Sequence, residues 1–317
     1  MTTLLPVARA IDLDPGPPDR RWLIDELWAD EAVGIVGGEP KCCKSFLALD
    51  IAVAVSGGVP CLRRFRVAQT GRVLLFAAED ALHVVRRRLA GIATAAGRDL
   101  ADLDIHVITA PSVRLDVERD RDSLAETIAT LRPKLLILDP FVRLHRIDEN
   151  ASGEVAPLLA YLRELQRRHH LAVLLVHHAR KGGAKMRAGQ ALRGSSEFHA
   201  WGDSNLYLRR HGDQLSLTVE HRAAPSIAAI SLQLAIAGDA VALSAADHEG
   251  ATATAAPSPL TIAQKVEQHL GSAIAPLTVA ALRKLCRTRN ATLTAVLAEL
   301  VAAGRIRKDA GGYTISR

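Results

Sequence analysis

Aromatic residues are scarce in this chain: Phe, Trp and Tyr together make up 3% of its 317 residues. A platform that binds single strands by stacking bases on aromatic rings is therefore not expected. Cysteine is scarce too. Cys42, Cys43, Cys61 and Cys286 lack the C-x-x-C spacing of zinc and redox sites and are too few to staple a chain of this length, so they read as free thiols. Long apolar runs are missing. The nearest approach, residues 227–246, is interrupted by Ser231, Gln233, Gly238 and Asp239, which excludes a membrane span of about 20 residues. The opening MTTLLPVARAIDLDPGPPDRR has no basic start followed by an apolar stretch and a small-residue cleavage site, so no secretory signal is visible. A cytoplasmic protein without a membrane partner is the expectation.

What is present is a globular composition, 49% apolar and 23% charged, far from the low hydrophobicity of disorder. The net charge of +6 is unevenly placed. From Pro257 to Arg317 nine Lys or Arg face three acids, whereas residues 1–256 carry 31 of each sign. The chain is a neutral body with a basic tail, and the location of that charge matters more than its size.

Residues 1–21, rich in Pro and Asp, read as an arm. From Trp22 onward, apolar runs alternate with helical patterns. The runs are AVGIVGG (32–38), RVLLFAAED (72–80), DIHVITA (104–110), KLLILD (134–139) and LAVLLVHH (171–178). The helices are expected over 44–55, from about 81, over 123–131 and over 155–169. Strands apolar throughout and alternating with helices indicate an α/β fold with a buried, mostly parallel sheet. Beyond a polar, Gly-rich stretch (179–196), NLYLRR, QLSLTVEHR and ISLQLAIAGDAVALS read as antiparallel strands. These complete a domain over 22–250. ATATAAPSP (251–259) is the linker candidate. The tail, 260–317, shows three helical patterns and then a short basic hairpin with Gly311 and Gly312 at its turn, the outline of a winged helix.

The sharpest motif is GGEPKCCKS (37–45), set between an apolar strand and the helix FLALDIAVAV. It fits G-x-x-x-x-G-K-[ST] with Gly38, Lys44 and Ser45, and with Cys43 where the second glycine would stand. In this setting the segment Gly38, Glu39, Pro40, Lys41, Cys42, Cys43, Lys44, Ser45 and Phe46 would wrap phosphates with backbone N–H groups and a helix N-terminus. Lys44 would reach the β- and γ-phosphates of ATP, and the Ser45 hydroxyl would bind Mg²⁺. Cysteines at a helix N-terminus beside lysines also invite oxidant sensitivity.

Hydrolysis needs a metal-side carboxylate and a group that positions water. Asp139 ends the strand KLLILD, where it would hold the Mg²⁺ shell, and Glu79 ends RVLLFAAED, where it would polarise the attacking water. Both ends fall on the edge at which open α/β sheets bind ligands. His177 and His178 end a third strand there. Adjacent strand residues point to opposite faces, so one of them faces the phosphates, and His178 is the choice as sensor.

These residues resemble a family. GGEPKCCKSFLALDIA, LLFAAED, LLILDPFVRLHRIDENASG, LLVHHARKG and RGSS, in this order over about 22–225, are similar to the RecA-fold ATPases related to the hexameric plasmid replicative helicase RepA. The resemblance implies a RecA-like P-loop core assembled as a homo-oligomeric ring, possible hexamer included, with ATP at subunit boundaries. The family's Walker A Lys and Ser, catalytic Glu, Walker B Asp and sensor His fall on Lys44, Ser45, Glu79, Asp139 and His178. The family places an arginine about ten residues beyond RGSS, reaching a neighbour's nucleotide, and that register here gives Asp203. Arg193, Arg209, Arg210 and Arg222 are the substitutes, Arg222 first.

For DNA, the polar segment 179–196 offers Lys181, Lys185, Arg187 and Arg193 as contacts to a single strand in the ring's channel. The tail offers Arg287 and Arg289 at the start of its third helix and Arg305, Arg307 and Lys308 on the wing, a duplex-binding arrangement. The expected activity is that of an ATP-hydrolysing DNA helicase or translocase of a plasmid or other mobile element. A nucleotide-gated DNA-binding regulator that does not unwind is the other reading the residues leave open.

Overall fold

The computed structural model describes residues 7–13, 21–178, 197–237, 240–246, 262–273, 276–286, 290–309 and 311–315. Trp22–Ile24 (β1) and Trp28–Ala29 (β2) form a small antiparallel pair that buries Trp28. The main run follows as β3 (Val33–Gly38), α1 (Lys44–Gly57), β4 (Val73–Ala77), α2 (Leu82–Ala95), β5 (Ile105–Val107), α3 (Glu118–Leu131), β6 (Leu135–Asp139), α4 (Ser152–His169) and β7 (Ala172–His178). Then come a short helix α5 (Glu197–Trp201) and β8 (Ser204–His211), β9 (Gln214–His221), β10 (Ile230–Ala237) and β11 (Ala240–Ala245).

These strands make one nine-stranded sheet in the order β11-β10-β9-β8-β3-β7-β6-β4-β5. The six strands from β8 to β5 run parallel, and β9, β10 and β11 extend the sheet antiparallel. Parallel strands joined by crossovers are covered on both faces, so both sets of alternating side chains must be apolar. They are. Val36, Leu75, Ile137, Leu174 and Val176 pack with α1 and α2, while Ile35, Leu74, Phe76, Leu138 and Leu175 pack with α3 and α4.

Several details differ from the sequence reading. The run 72–80 narrows to Val73–Ala77, which leaves Glu79 and Asp80 in a bend beyond the strand. The run 104–110 narrows to Ile105–Val107, because β5 is the sheet's edge and pairs only with β4. α3 starts at Glu118 rather than near 123; its first turn is charged, with Glu118 and Asp120 placed where a helix N-terminus favours acids, so no apolar period announces it. NLYLRR becomes β8, which runs parallel to β3 and antiparallel only to β9, and the stretch 230–245 is two strands.

The chain folds as two compact units, 1–247 and 248–317. The second contains α6 (Ile262–Ser272), α7 (Val279–Cys286), α8 (Asn290–Ala302) and the hairpin β12 (Ile306–Asp309) with β13 (Gly312–Ile315). Its own core is built from Val266, Leu270, Leu282, Leu293, Leu297, Leu300 and Ile306. A bridge between Leu277 and Tyr313 adds a third backbone segment to the hairpin.

Among the described residues of the first unit, one carboxylate is wholly enclosed. Asp50, in the middle of α1, accepts the Leu62 N–H at 2.7 Å and pairs with Arg63, and the Cys61 thiol lies 3.3 Å from it. Leu62 and Arg63 both have left-handed backbone, φ 51° and 62°, so the carboxylate fastens an unfavourable turn onto the helix. Asp50→Ala leaves the Leu62 N–H and the Arg63 guanidinium without this partner and is expected to lower the unfolding free energy by about 3 kcal/mol. A urea titration measures it; a loss below about 1 kcal/mol would remove Asp50 from this role.

Candidate functional site

Period two decides which ends of β6 and β7 meet. Ile137 in β6 and Leu174 and Val176 in β7 face α1, so Asp139 and His178, in step with them, come to the same side. Glu79 reaches the same space from the bend that follows Ala77, the last residue of β4. His177 turns to the other face, stacked on Phe198 at 4.3 Å between ring centroids and edge-on to Phe141. A cavity of about 290 Å³ opens there, lined by the phosphate-loop residues Lys41 to Phe46 with Glu79, Arg88, Asp139, Val176 and His178. Lys44, Ser45, Glu79, Asp139 and His178 are thus brought together.

The loop turns tightly over the end of β3. A Cβ on Gly38 would lie 2.6 Å from both the Cys42 sulfur and the Leu208 carbonyl oxygen, so no larger residue fits. Lys44 is nearly buried and donates to the Glu39 carbonyl at 2.9 Å; the Cys42 thiol lies 2.8 Å from the same oxygen. Burial pushes the Cys42 thiol up, against the pull of Lys44. That makes Cys42 a packing residue rather than a reactive thiolate. Cys43 caps α1 with φ 64° and ψ 26°, the left-handed conformation that glycine adopts without strain. Its half-buried sulfur receives the Arg210 guanidinium at 3.4 Å.

The Ser45 hydroxyl donates to Asp139, whose carboxyl is pushed up to about 6, first by burial and then by the charges of Asp80 and Glu79, with Ser45 and Lys44 opposing. Among the described residues no group of three acidic, histidine or cysteine side chains is placed to hold a metal by itself, but the Asp139 carboxylate and the Ser45 hydroxyl together offer hard oxygen donors. Mg²⁺ takes one or two protein carboxylates and completes its shell with water and phosphate oxygens. Ser45 and Asp139 fit that requirement, and a cation bound there would offset both the burial that mainly raises the Asp139 carboxyl and the lesser push of Asp80 and Glu79.

Glu79 is half-exposed and accepts from Arg143 Nε at 3.0 Å, while Asp80 is paired with Arg88. Arg143 and Arg88 were not singled out from the sequence. Arg143 stands four residues beyond Asp139; Arg88 is hidden in the run Arg86-Arg87-Arg88, where helical spacing from the buried Val85 and Leu89 marks it as the half-buried member. Arg222 lies elsewhere. It follows β9 at the sheet edge opposite the phosphate loop, 3.3 Å from Asp203 and bonded to the Ala200 carbonyl. Asp203 also holds Arg163 and receives the Val33 N–H, so the position where the resemblance implies an arginine is an anchoring acid.

Of the DNA-contact candidates, Lys181, Lys185, Arg187, Arg193, Arg287 and Arg289 lie outside the described residues. Arg305 is bound through Nε and Nη2 to the two carboxylate oxygens of Glu267, at 2.7 and 2.9 Å. Arg307 is exposed and 3.5 Å from Asp309, and Lys308 lies over the Tyr313 ring at 6.0 Å.

A family model described as an AAA domain matches residues 2–184, more than half of the chain. The chain belongs to the AAA domain family. Among solved structures this AAA protein is similar to the RadB recombinase, with a TM-score of 0.50 and 15% identity over 69% of this chain and 92% of that one. It is also similar to a DnaB-like replicative helicase described with its interactions with primase, with a TM-score of 0.51 and 14% identity over 67% of this chain and 59% of that one. At such identities the likeness gives the fold alone, a RecA-like α/β core. The chain spans a little under two thirds of the helicase it matches. Among the described residues no helix is long and apolar enough to cross a membrane.

The Asp139 carboxyl yields a pH test on this AAA protein without nucleotide or divalent cation. Its folded pKa of about 6 exceeds the ordinary 3.8, so the folded chain holds a proton that the unfolded chain releases earlier. Stability from this group is fully present below about pH 4 and is lost as pH rises through about 6. Asp139→Asn cannot ionise, so its melting temperature should exceed the parent's at about pH 8 and the gap should close toward pH 4. Parallel melting curves across that range would refute the shift.

Proposed function

We propose that the protein is an ATP-hydrolysing, DNA-associated motor, a RepA-like replicative helicase or translocase of a plasmid or other mobile element. The observation that carries the reading is the meeting of Lys44, Ser45, Asp139, Glu79 and His178 in one cavity at the end of the sheet. ATP fits a site made of a helix N-terminus, a buried lysine and a polar rim. Ser45 and Asp139 would hold Mg²⁺, which would supply charge neutralisation for the polyphosphate when bound. Lys44, released from the Glu39 carbonyl, takes the charge that builds on the transferred phosphoryl group. Glu79, once free of Arg143, accepts a hydrogen bond from the attacking water and draws off its proton. His178, at the end of the strand beside the loop, senses whether the γ-phosphate is present.

A residue on the far sheet edge can serve only another copy's nucleotide. The placement of Arg222 opposite its own phosphate loop fits a role in trans, within a homo-oligomeric ring of the hexameric kind that the RepA resemblance implies. DNA contact is assigned to two basic regions. Lys181, Lys185, Arg187 and Arg193 would hold a single strand in the channel. Arg287, Arg289, Arg307 and Lys308 would hold a duplex on a winged-helix-like tail over 260–317, tethered by 251–259 to the ATPase domain over 22–250. Arg305, tied to Glu267, contributes less than its neighbours. A cytoplasmic setting goes with this reading.

The second reading, a nucleotide-gated DNA-binding regulator, is favoured by one observation. Glu79 is held by Arg143, an arrangement in which ATP binds without prompt turnover.

Steady-state ATP hydrolysis by the full chain, without DNA, with single strands and with duplex, separates the two. The motor predicts stimulation by single strands. Lys44→Ala should abolish turnover, and Glu79→Gln should keep nucleotide affinity while losing at least about a hundredfold in rate. Unchanged hydrolysis in either variant would sink the assignment, and tight binding with negligible turnover on any DNA would move it to the regulator.

A further inference from the structure

The cavity is lined by an arginine that neither the phosphate loop nor the metal-side carboxylates account for. Arg88 stands in the second turn of α2 and lines the same space as Lys44, Ser45 and Asp139. Its side chain is 28% exposed. The guanidinium carbon lies 5.2 Å from the centroid of the Phe46 ring, and Phe46 directly follows Ser45 in the first turn of α1. One N–H is bonded to the Asp80 carboxylate. The rest of the fork has no acceptor among the described residues.

A half-buried Arg–Asp pair that keeps contact with water stabilises the fold only modestly, and it uses one edge of the guanidinium. Arg88 is laid against an aromatic face beside the helix end that would receive phosphates. Stacking on Phe46 fixes the plane of the fork, and a fixed fork is the geometry that pairs with two phosphate oxygens at once.

We propose that Arg88 is a nucleotide-contacting residue acting in cis, its guanidinium laid flat by Phe46 so as to bond the polyphosphate beside the first turn of α1, with Asp80 engaging one N–H until nucleotide arrives. The inference rests on the reading of this cavity as an ATP site. It adds a contact from α2, the helix that follows the Glu79-Asp80 turn, so that nucleotide binding and the placement of the water-directing carboxylate act through one element.

The test is the affinity of the full-length chain for a non-hydrolysable ATP analogue, by calorimetry, in the parent, Lys44→Ala, Arg88→Met, Arg88→Lys and Asp80→Asn. Arg88→Met keeps the apolar stem over Phe46 and removes the charge. Loss of a charge-assisted bond should weaken binding by about tenfold or more. Arg88→Lys should recover only part, since an ammonium cannot reproduce the fork. Asp80→Asn frees the guanidinium without removing it and should bind at least as tightly as the parent. Binding by Arg88→Met within about twofold of the parent, or an Asp80→Asn loss equal to that of Arg88→Met, would overturn the assignment and leave the pair a structural one. If Arg88→Met fails to fold, the ranking of Arg88→Lys below Asp80→Asn carries the decision, and the reverse ranking overturns it. A parent that does not bind, or a Lys44→Ala variant that binds like the parent, would instead strike the ATP reading itself.

Discussion

The site depends on how closely the chain turns back over the last residue of β3. Gly38 leaves no room for a side chain between the Cys42 sulfur and the Leu208 carbonyl, and that contact seats the N-terminus of α1 against the sheet edge. Lys44 is then nearly buried, Ser45 reaches Asp139, and the strand ends of β4, β6 and β7 close around them. A looser turn would let water between Ser45 and Asp139 and remove the burial that raises that carboxyl. Cys43 shows the cost of the same constraint. It adopts the left-handed backbone that the turn demands, which costs a non-glycine residue about 1 to 2 kcal/mol, and its side chain finds a partner in Arg210 from β8.

Burial on both faces made the centre of the fold legible. KLLILD and LAVLLVHH have no polar interruption, and only a covered parallel strand tolerates that. Where burial is one-sided or absent, the pattern weakens. β5 shrinks at the open edge, and the charged first turn of α3 carries a helix-dipole signal but no apolar period. The direction of β8 was not legible either. A strand's direction is set by the neighbour it pairs with, and Asp203 fixes that pairing through the Val33 N–H, a contact between residues 170 positions apart.

The same division runs through the site. Gly38, Lys44 and Ser45 are read from a fixed spacing that the chemistry imposes, and Glu79, Asp139 and His178 from their places at strand ends. Arg88 and Arg143 carry no such mark. Each reaches the carboxylates from a different element, and an arginine in a helix reads as solvated unless its neighbours in space are known. Both arginines neutralise carboxylates that crowd one another around Asp139, so they answer an electrostatic demand that no spacing rule contains.

The tail shows where charge excess and usable charge part company. Arg305 is spent on Glu267 within the tail's own structure, and Arg307 stands near Asp309. α8, the third helix, is NATLTAVLAELVA and carries no Lys or Arg; on its exposed positions stand Thr294, Ala295, Ala298, Glu299, Val301 and Ala302. Such a surface can pack closely against a groove or another protein, but it cannot neutralise phosphates. In the proposed reading, duplex contact by this unit therefore falls to cations outside α8, Arg287 and Arg289 before it and Arg307 and Lys308 on the hairpin among them. Cations placed so, with a helix free of Lys and Arg between them, would favour holding the phosphate backbone over reading base edges.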